Sequence, residues 1–401
     1  MQIALIADTF PPLRTSGAVQ LRDLSREFAR QGHTVSVLLP APDLLSSWKI
    51  EEFDGTKVVR LKAPKTKDIN YLRRTVAELA MPFFMWWNYR KSPLANTRWD
   101  GVVWYAPSIF HGPIVSALKK SSSCKSYLII RDIFPEWAVD MGLMGRGLPY
   151  RFFKVVAQYQ YSVADVIGVQ TPGNKRYFEH WVKKPQRSLE VLQNWLDIPT
   201  QNRCPIRVAD SALAGRKVFV YAGNMGIAQG MDILLELAQE LLYRLDVGFL
   251  FVGRGSEVNR LKARASEQRL DNVVFFDEID PDEIPDLYAQ CDVGIVALDP
   301  RHKSHNIPGK FLTYMQSGIP VLANINAGND LGVLVREKRV GQVCESNQLD
   351  ELKELTEKLL DQIATDTDIS LRCKQLFEQE FAVHKVVKQI IKGLSVNTIS
   401  S

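Results

Sequence analysis

Segments of strand character and segments of helical periodicity alternate along almost the whole chain, and the alternation runs twice. Strands that alternate with helices are joined by crossovers, which predicts parallel sheets covered by helices, an α/β architecture. The first run opens on the apolar strand Ile3–Ala7 and reaches Leu189–Leu192; the second restarts at Lys217–Tyr221. Between them, Asn194–Ala214 has little periodicity and carries Pro199 and Pro205, so the interdomain linker is placed there. A chain of 401 residues is long enough for two domains of ordinary size.

Composition then excludes several classes of protein. At 46% hydrophobic and 24% charged residues the chain is too apolar for disorder and too charged for a membrane-spanning bundle. No apolar run approaches the roughly 20 residues that span a bilayer. The N-terminus enters a strand with no basic leader ahead of it, so no signal peptide is expected. Five scattered cysteines (Cys124, Cys204, Cys291, Cys344, Cys373) argue against a disulfide framework or a metal knuckle, and cytoplasmic residence is the simplest expectation. A net charge of +5 is too weak to indicate nucleic acid.

The second run holds the strongest candidate chemistry. The strand Lys217–Tyr221 leads into a glycine-rich loop, Ala222 to Gly230, and a helix from Met231 to Tyr243; Gly223 and Gly226 would let a ligand approach the backbone. The strand Gly248–Val252 ends in Gly253-Arg254-Gly255-Ser256, where the guanidinium would grip a phosphate. The stretch from Val293 to Ala323 passes from a buried strand through a polar loop to Pro308-Gly309-Lys310. There Pro308 is expected as the first helical residue, with Gly309 and Lys310 in the first turn. A helix N-terminus with a lysine suits a pyrophosphate. The alternative is an ordinary strand–loop–helix unit with Lys310 merely solvated.

The first run has a strand–loop–helix–strand start, with Asp8 to Pro12, the Ser16-Gly17 loop and a helix closed by Gly32, followed by the strand Thr34–Leu39. It lacks a GxGxxG fingerprint and an acidic residue closing the second strand, which disfavours a nicotinamide enzyme. Lys57–Lys62 reads as the third strand. The segment Tyr71–Lys91 brackets Met81, Phe83, Phe84, Met85, Trp86 and Trp87 with Arg73, Arg74, Arg90 and Lys91, either as a membrane-surface segment or as a core-facing helix. The strand Tyr127–Ile130 runs into Arg131-Asp132-Ile133-Phe134-Pro135-Glu136. That places Arg131, Asp132 and Glu136 at a ligand-binding sheet edge, or else Asp132 as a helix cap. A lone His111 before Gly112-Pro113 reads as structural. Phe381–Leu394 is a final amphipathic segment.

Taken together these motifs resemble a GT-B glycosyltransferase, in an order similar to the retaining family 4 enzymes and specifically their WbuB-like O-antigen and surface-polysaccharide subgroup. The resemblance rests on Ser16-Gly17, the Arg131–Glu136 motif, Tyr221–Gly226 with Ala228-Gln229-Gly230, Val252–Gly255, and Pro308–Lys310 with Tyr314-Met315 and Gly318–Pro320. It implies two Rossmann-like domains facing each other across a cleft. An acceptor-binding domain would occupy residues 1–198 and a nucleotide-sugar-binding domain 199–380. Residues 381–401 would form a helix crossing back onto the first domain.

It further implies a UDP-sugar donor, no metal requirement and no separate cofactor. The sugar would be N-acetyl-L-fucosamine or a related 6-deoxy amino sugar. The acceptor would be an undecaprenyl-pyrophosphate-linked glycan at the inner face of the plasma membrane.

The same resemblance assigns catalytic roles to Asp132, Glu136, His305 and Lys310. Donor contacts would come from Ser16, Gly17, Gly223, Asn224, Gly226, Gln229, Gly253, Arg254, Asn306, Pro308, Gly309, Lys310 and Thr313. The family's paired glutamates fall here on His305 and Thr313, its loop arginine and lysine on Asn224 and Gln229, and its first-domain histidine on Arg131. A UDP-sugar 2-epimerase and a non-catalytic nucleotide-sugar-binding subunit are the alternatives.

Overall fold

The computed structural model describes residues 1–13, 15–198, 202–301 and 306–395. The chain divides into two compact units, one of Met1–Asp197 with Val383–Ser401, the other of Ile198–Ala382.

The first unit is built on a sheet whose strands are β1 (Gln2–Ile6), β2 (Thr34–Ala41), β3 (Trp48–Phe53), β4 (Thr56–Lys62), β5 (Gly101–Tyr105), β6 (Lys125–Ile129), β7 (Val166–Val169) and β8 (Ser188–Val191). Their spatial order is β3-β4-β2-β1-β5-β6-β7-β8, parallel except for the β3/β4 pair. From β1 the chain first builds toward β2 and later returns to place β5 on the other side. The order therefore reverses between β1 and β5, the position where open α/β sheets take their ligands.

Sequence reading overlooked β3. It is an edge strand carrying Lys49, Glu51 and Glu52, with Glu51 paired to Lys49 at 2.6 Å and to Arg60 at 2.7 Å. Charges of this kind protect an edge and erase the apolar signal of a strand. The hairpin signal was nonetheless present: Asp54-Gly55, both at positive φ (49° and 72°), form the two-residue turn that joins β3 to β4.

One face of this sheet is covered by the helices Ser16–Arg30 and Val383–Ser395, whose Leu21, Leu24, Phe28, Val386, Val387 and Ile390 share one core. The opposite face carries the helices Tyr71–Tyr89, Gly112–Ser122 and Leu148–Val163. Helix Tyr71–Tyr89 answers the question its segment posed with two different faces. Met81, Met85 and Tyr89 are buried in the core, whereas Phe83, Phe84 and Trp87 are 64%, 51% and 63% exposed.

The second unit holds β9 (Lys217–Ala222), β10 (Val247–Val252), β11 (Val273–Phe276), β12 (Val293–Ala297), β13 (Val321–Asn324) and β14 (Gly341–Cys344), all parallel, in the order β11-β10-β9-β12-β13-β14. Its order reverses between β9 and β12. These two strands register only at Val293↔Phe219 and Gly294↔Val220. Beyond that point the hydroxyl of Tyr314 stands 3.0 Å from the Val220 carbonyl and 3.1 Å from that of Ile295. The side chain thus fills the gap and shares its hydroxyl hydrogen between carbonyls of the two strands.

The stretch assigned as linker holds buried anchors among its described residues. Trp195 is fully buried in the first unit, and Ile206 and Leu213 are buried in the second. Periodicity failed there because isolated anchors, not an element face, make the contacts.

Candidate functional site

In the second unit, the two glycine loops close on one another. Gly223 donates to the Val252 carbonyl (2.9 Å), Met225 to that of Arg254 (2.7 Å), and Glu257 to that of Met225 (3.1 Å). Gly253, at φ 144°, lies so near the Gly223 carbonyl that any Cβ would overlap it. The glycines are therefore needed for loop-on-loop packing. Gly226 donates to the Gln229 side chain (2.9 Å) and Gly253 to the Phe276 carbonyl (3.1 Å), so all three amides are engaged within the protein.

Asn224 and Gln229 also serve the loop. The Asn224 amide donates to Gln229 Oε1 at 3.2 Å, and the Asn224 carbonyl accepts the Tyr221 hydroxyl at 2.6 Å. Arg254 is 67% exposed on its side chain and pairs with Glu278 at 3.4 Å. Such an exposed ion pair is weak, and the guanidinium can exchange partners at little cost.

The helix expected after Pro308 runs from Gly309 to Ser317. Pro308 is the residue before it: at ψ 140° it is extended and does not begin the helix. The ring restrains φ alone, so ψ decided the boundary. Gly309 opens the first turn, with Lys310 next and Thr313 half-buried one turn on. The Lys310 ammonium lies 4.5 Å from the centroid of the Tyr221 ring, and the lysine reaches over Gly223. Glycine loop, lysine and helix start thus meet where the strand order reverses between β9 and β12. Asn306 is half-buried at the entrance to this helix; His305 lies outside the described residues.

In the first unit, Ser16 and Gly17 begin the helix Ser16–Arg30, capped by Thr15, whose hydroxyl accepts the Ala18 N–H at 3.2 Å. Gly17 sits against Thr9 and the Tyr105 ring, where a Cβ would be tight, 3.2 Å from Thr9 Cγ2. Asp132 follows β6 in a crowded recess that pushes its carboxyl pKa up, Arg131 acting in the opposite direction. The residue keeps contact with solvent.

Two charged residues of the same motif are engaged within the protein. Arg131 is buried in a stack, its guanidinium 4.4 Å from the Trp195 ring and 5.8 Å from Tyr105, donating to the Leu192 carbonyl at 3.3 Å. Its work there is packing. Glu136 is ion-paired to Lys154 and accepts from the Tyr150 hydroxyl at 3.4 Å, which ties the short helix Glu136–Asp140 to Leu148–Val163. That role is structural.

Sequence reasoning set aside His111, and the structure makes it a candidate. It is fully buried beside the reversal point of the first sheet, and neither ring nitrogen has a hydrogen-bond partner. Burial pulls its pKa down, while the field of Asp8 acts the other way. Nothing in a lone histidine before Gly-Pro announces this. Among the described residues, no three His, Cys, Asp or Glu side chains are grouped to hold a metal ion, and no helix is long and apolar enough to cross a membrane.

Comparison with known proteins places these sites in a family context. Residues 216–362, under half of the chain, match the family described as glycosyl transferases group 1. WbjE of Pseudomonas aeruginosa, named as a glycosyltransferase, is 27% identical over 237 residues, which are 57% of this chain and 58% of WbjE. The chain thus spans just under three fifths of the length of that relative. WcaI of Escherichia coli, named for colanic acid biosynthesis glycosyl transfer, is 23% identical over 382 residues, 86% of either chain.

Sucrose-phosphate synthase of Thermosynechococcus elongatus superposes with a TM-score of 0.72 at 17% identity, covering 98% of this chain and 97% of its own. HepE of Anabaena in complex with UDP superposes at 0.66 and 15% identity, covering 98% and 100%. The fold is GT-B, and the match to the glycosyl transferases group 1 family lies within the second unit. Nothing in these likenesses favours the epimerase alternative.

Proposed function

We propose that this glycosyltransferase moves a sugar from a UDP-sugar to a lipid-linked glycan, with retained anomeric configuration and without a metal ion. The observation that carries the reading is the meeting of Lys310 with Gly223 above Tyr221 at the reversal point of the second sheet. A diphosphate at that place would face an ammonium and the positive end of the helix Gly309–Ser317. As the glycosidic bond breaks, negative charge gathers on the departing UDP. Fixed positive groups there stabilise the transition state more than the ground state. Arg254 adds a second cation once it exchanges Glu278 for phosphate. The complex of HepE with UDP supports uridine as the nucleoside.

The acceptor belongs, in this reading, to the first unit, at the edge between β1 and β5 where Asp8, Ser16, Gly17, Asp132 and His111 gather. The names of WbjE and WcaI support a place in surface-polysaccharide synthesis. The WbuB-like resemblance narrows this to O-antigen or capsule, with N-acetyl-L-fucosamine or a related 6-deoxy amino sugar and an undecaprenyl-pyrophosphate acceptor. A lipid carrier requires a protein that works at the cytoplasmic membrane surface. The outward face of Tyr71–Tyr89, with Phe83, Phe84 and Trp87, supplies apolar contact, and Arg73, Arg74, Arg90 and Lys91 supply charge. Leu148, Phe152 and Val155, exposed on the other outer helix of that sheet face, extend the surface.

Titration calorimetry with UDP tests the donor half. Saturable binding by the wild type that is lost in Lys310→Ala supports it. A wild type that does not bind UDP would end it.

A further inference from the structure

Lys310 is a long side chain on the first turn of a helix, with four rotatable bonds and no carboxylate partner among the described residues. Left to itself such a chain samples many rotamers, and a phosphate site built on it would be poorly organised. Here its ammonium lies 4.5 Å from the centroid of the Tyr221 ring, within range of a cation–π attraction. Tyr221 cannot drift. It stands at the end of β9, fully buried, and its hydroxyl is bonded to the Asn224 carbonyl at 2.6 Å. One rigid side chain therefore shapes the glycine loop with its hydroxyl and holds the lysine over Gly223 with its ring.

An ammonium has three N–H donors. A ring takes up one face of the charge and leaves the rest for an incoming oxyanion. We infer that Tyr221 is a positioning residue: its ring fixes the Lys310 ammonium above Gly223, so that this chain distinguishes a nucleoside diphosphate from a monophosphate. The inference rests on the reading that Lys310 meets the donor diphosphate. It accounts for how a glycine loop whose own amides are engaged, and which carries Asn224 and Gln229 where the resemblance expects cations, still presents one ordered positive charge.

The test is calorimetry with UDP and with UMP on the wild type, Lys310→Ala, Tyr221→Phe, Tyr221→Leu and the Lys310→Ala/Tyr221→Leu double variant. The wild type is expected to prefer UDP. Tyr221→Leu should lose about five- to thirty-fold of that preference while keeping UMP affinity within about twofold, the span of a partly desolvated cation–π contact. Tyr221→Phe, which keeps the ring and gives up the hydroxyl, should retain the preference. The double variant should discriminate no worse than Lys310→Ala alone.

Wild-type preference in Tyr221→Leu, alongside its loss in Lys310→Ala, would overturn the role of Tyr221 and leave Lys310 standing. Preference retained in Lys310→Ala would overturn both. Should the leucine variant not fold, NMR of the wild type reads the contact directly. Lys310 ε-methylene protons shifted upfield by the ring support the inference, and unshifted protons would overturn it.

Discussion

The Tyr314 ring lies against Gly294 so closely that a Cβ on the glycine would overlap it, and its hydroxyl bridges toward β9 and β12 where they part. The glycine in a buried strand and the tyrosine on the following helix are thus one device. It holds the reversal point of the second sheet open and ties the helix that carries Lys310 to the sheet.

Gly294→Ala should therefore cost about 1–3 kcal/mol, the usual penalty of overpacking a tight core, because the ring has strand carbonyls behind it and nowhere to move. Urea unfolding checks this. UDP affinity should fall with it, since displacing Tyr314 shifts the start of the helix. An alanine variant as stable as the wild type would show the ring to be free to move.

Gly253→Ala tests the loop pair. At φ 144° a side chain is strained by roughly 1–3 kcal/mol, and its Cβ would overlap the Gly223 carbonyl. The expected result is a folded protein with UDP binding weakened tenfold or more, read by calorimetry beside circular dichroism. Unchanged binding would mean that the two loops need not touch.

His111 yields a pH dependence. Burial holds its pKa below the ordinary value, so below about pH 6.5 the unfolded chain takes up a proton that the folded one resists. The stability contributed by the neutral ring is whole above pH 6.5 and drains away as the pH falls toward the folded pKa. His111→Phe should flatten that acid slope in urea midpoints measured at pH 7 and pH 5. Removing two unpartnered buried nitrogens should also leave the variant as stable as the wild type at pH 7, or more stable by about 1 kcal/mol. A variant as acid-sensitive as the wild type would locate the slope elsewhere.

The outward face of Tyr71–Tyr89 predicts lipid binding. Flotation with vesicles of phosphatidylglycerol and phosphatidylethanolamine should capture the wild type and release Phe83→Ser/Trp87→Ser. Charge reversal at Arg73 and Arg90 should weaken capture in a salt-dependent way. Capture indifferent to all four changes would leave these side chains an ordinary surface.

What the sequence by itself determined is the sequence of elements and the positions of the loops. Strand and helix periodicities marked β1, β9, β10 and β12, and the turn-forming residues marked where each strand must stop. Those are local properties, set within a few residues by side-chain spacing and backbone freedom; they yield the two α/β runs, and GT-B came from the resemblance of the motifs. The roles of Gly223 and Gly253 could not be read that way, because whether their amides face a ligand or the protein depends on strands more than twenty residues distant. The same holds for Arg131 and Glu136, charged residues at a sheet edge whose partners Trp195 and Lys154 come from other elements. Tyr221 stood in the sequence as a strand residue and His111 as a structural histidine, and both are buried. Only the tertiary structure decided that one has a lysine above its ring and the other two nitrogens without a partner, because burial removes the solvent that would otherwise satisfy them.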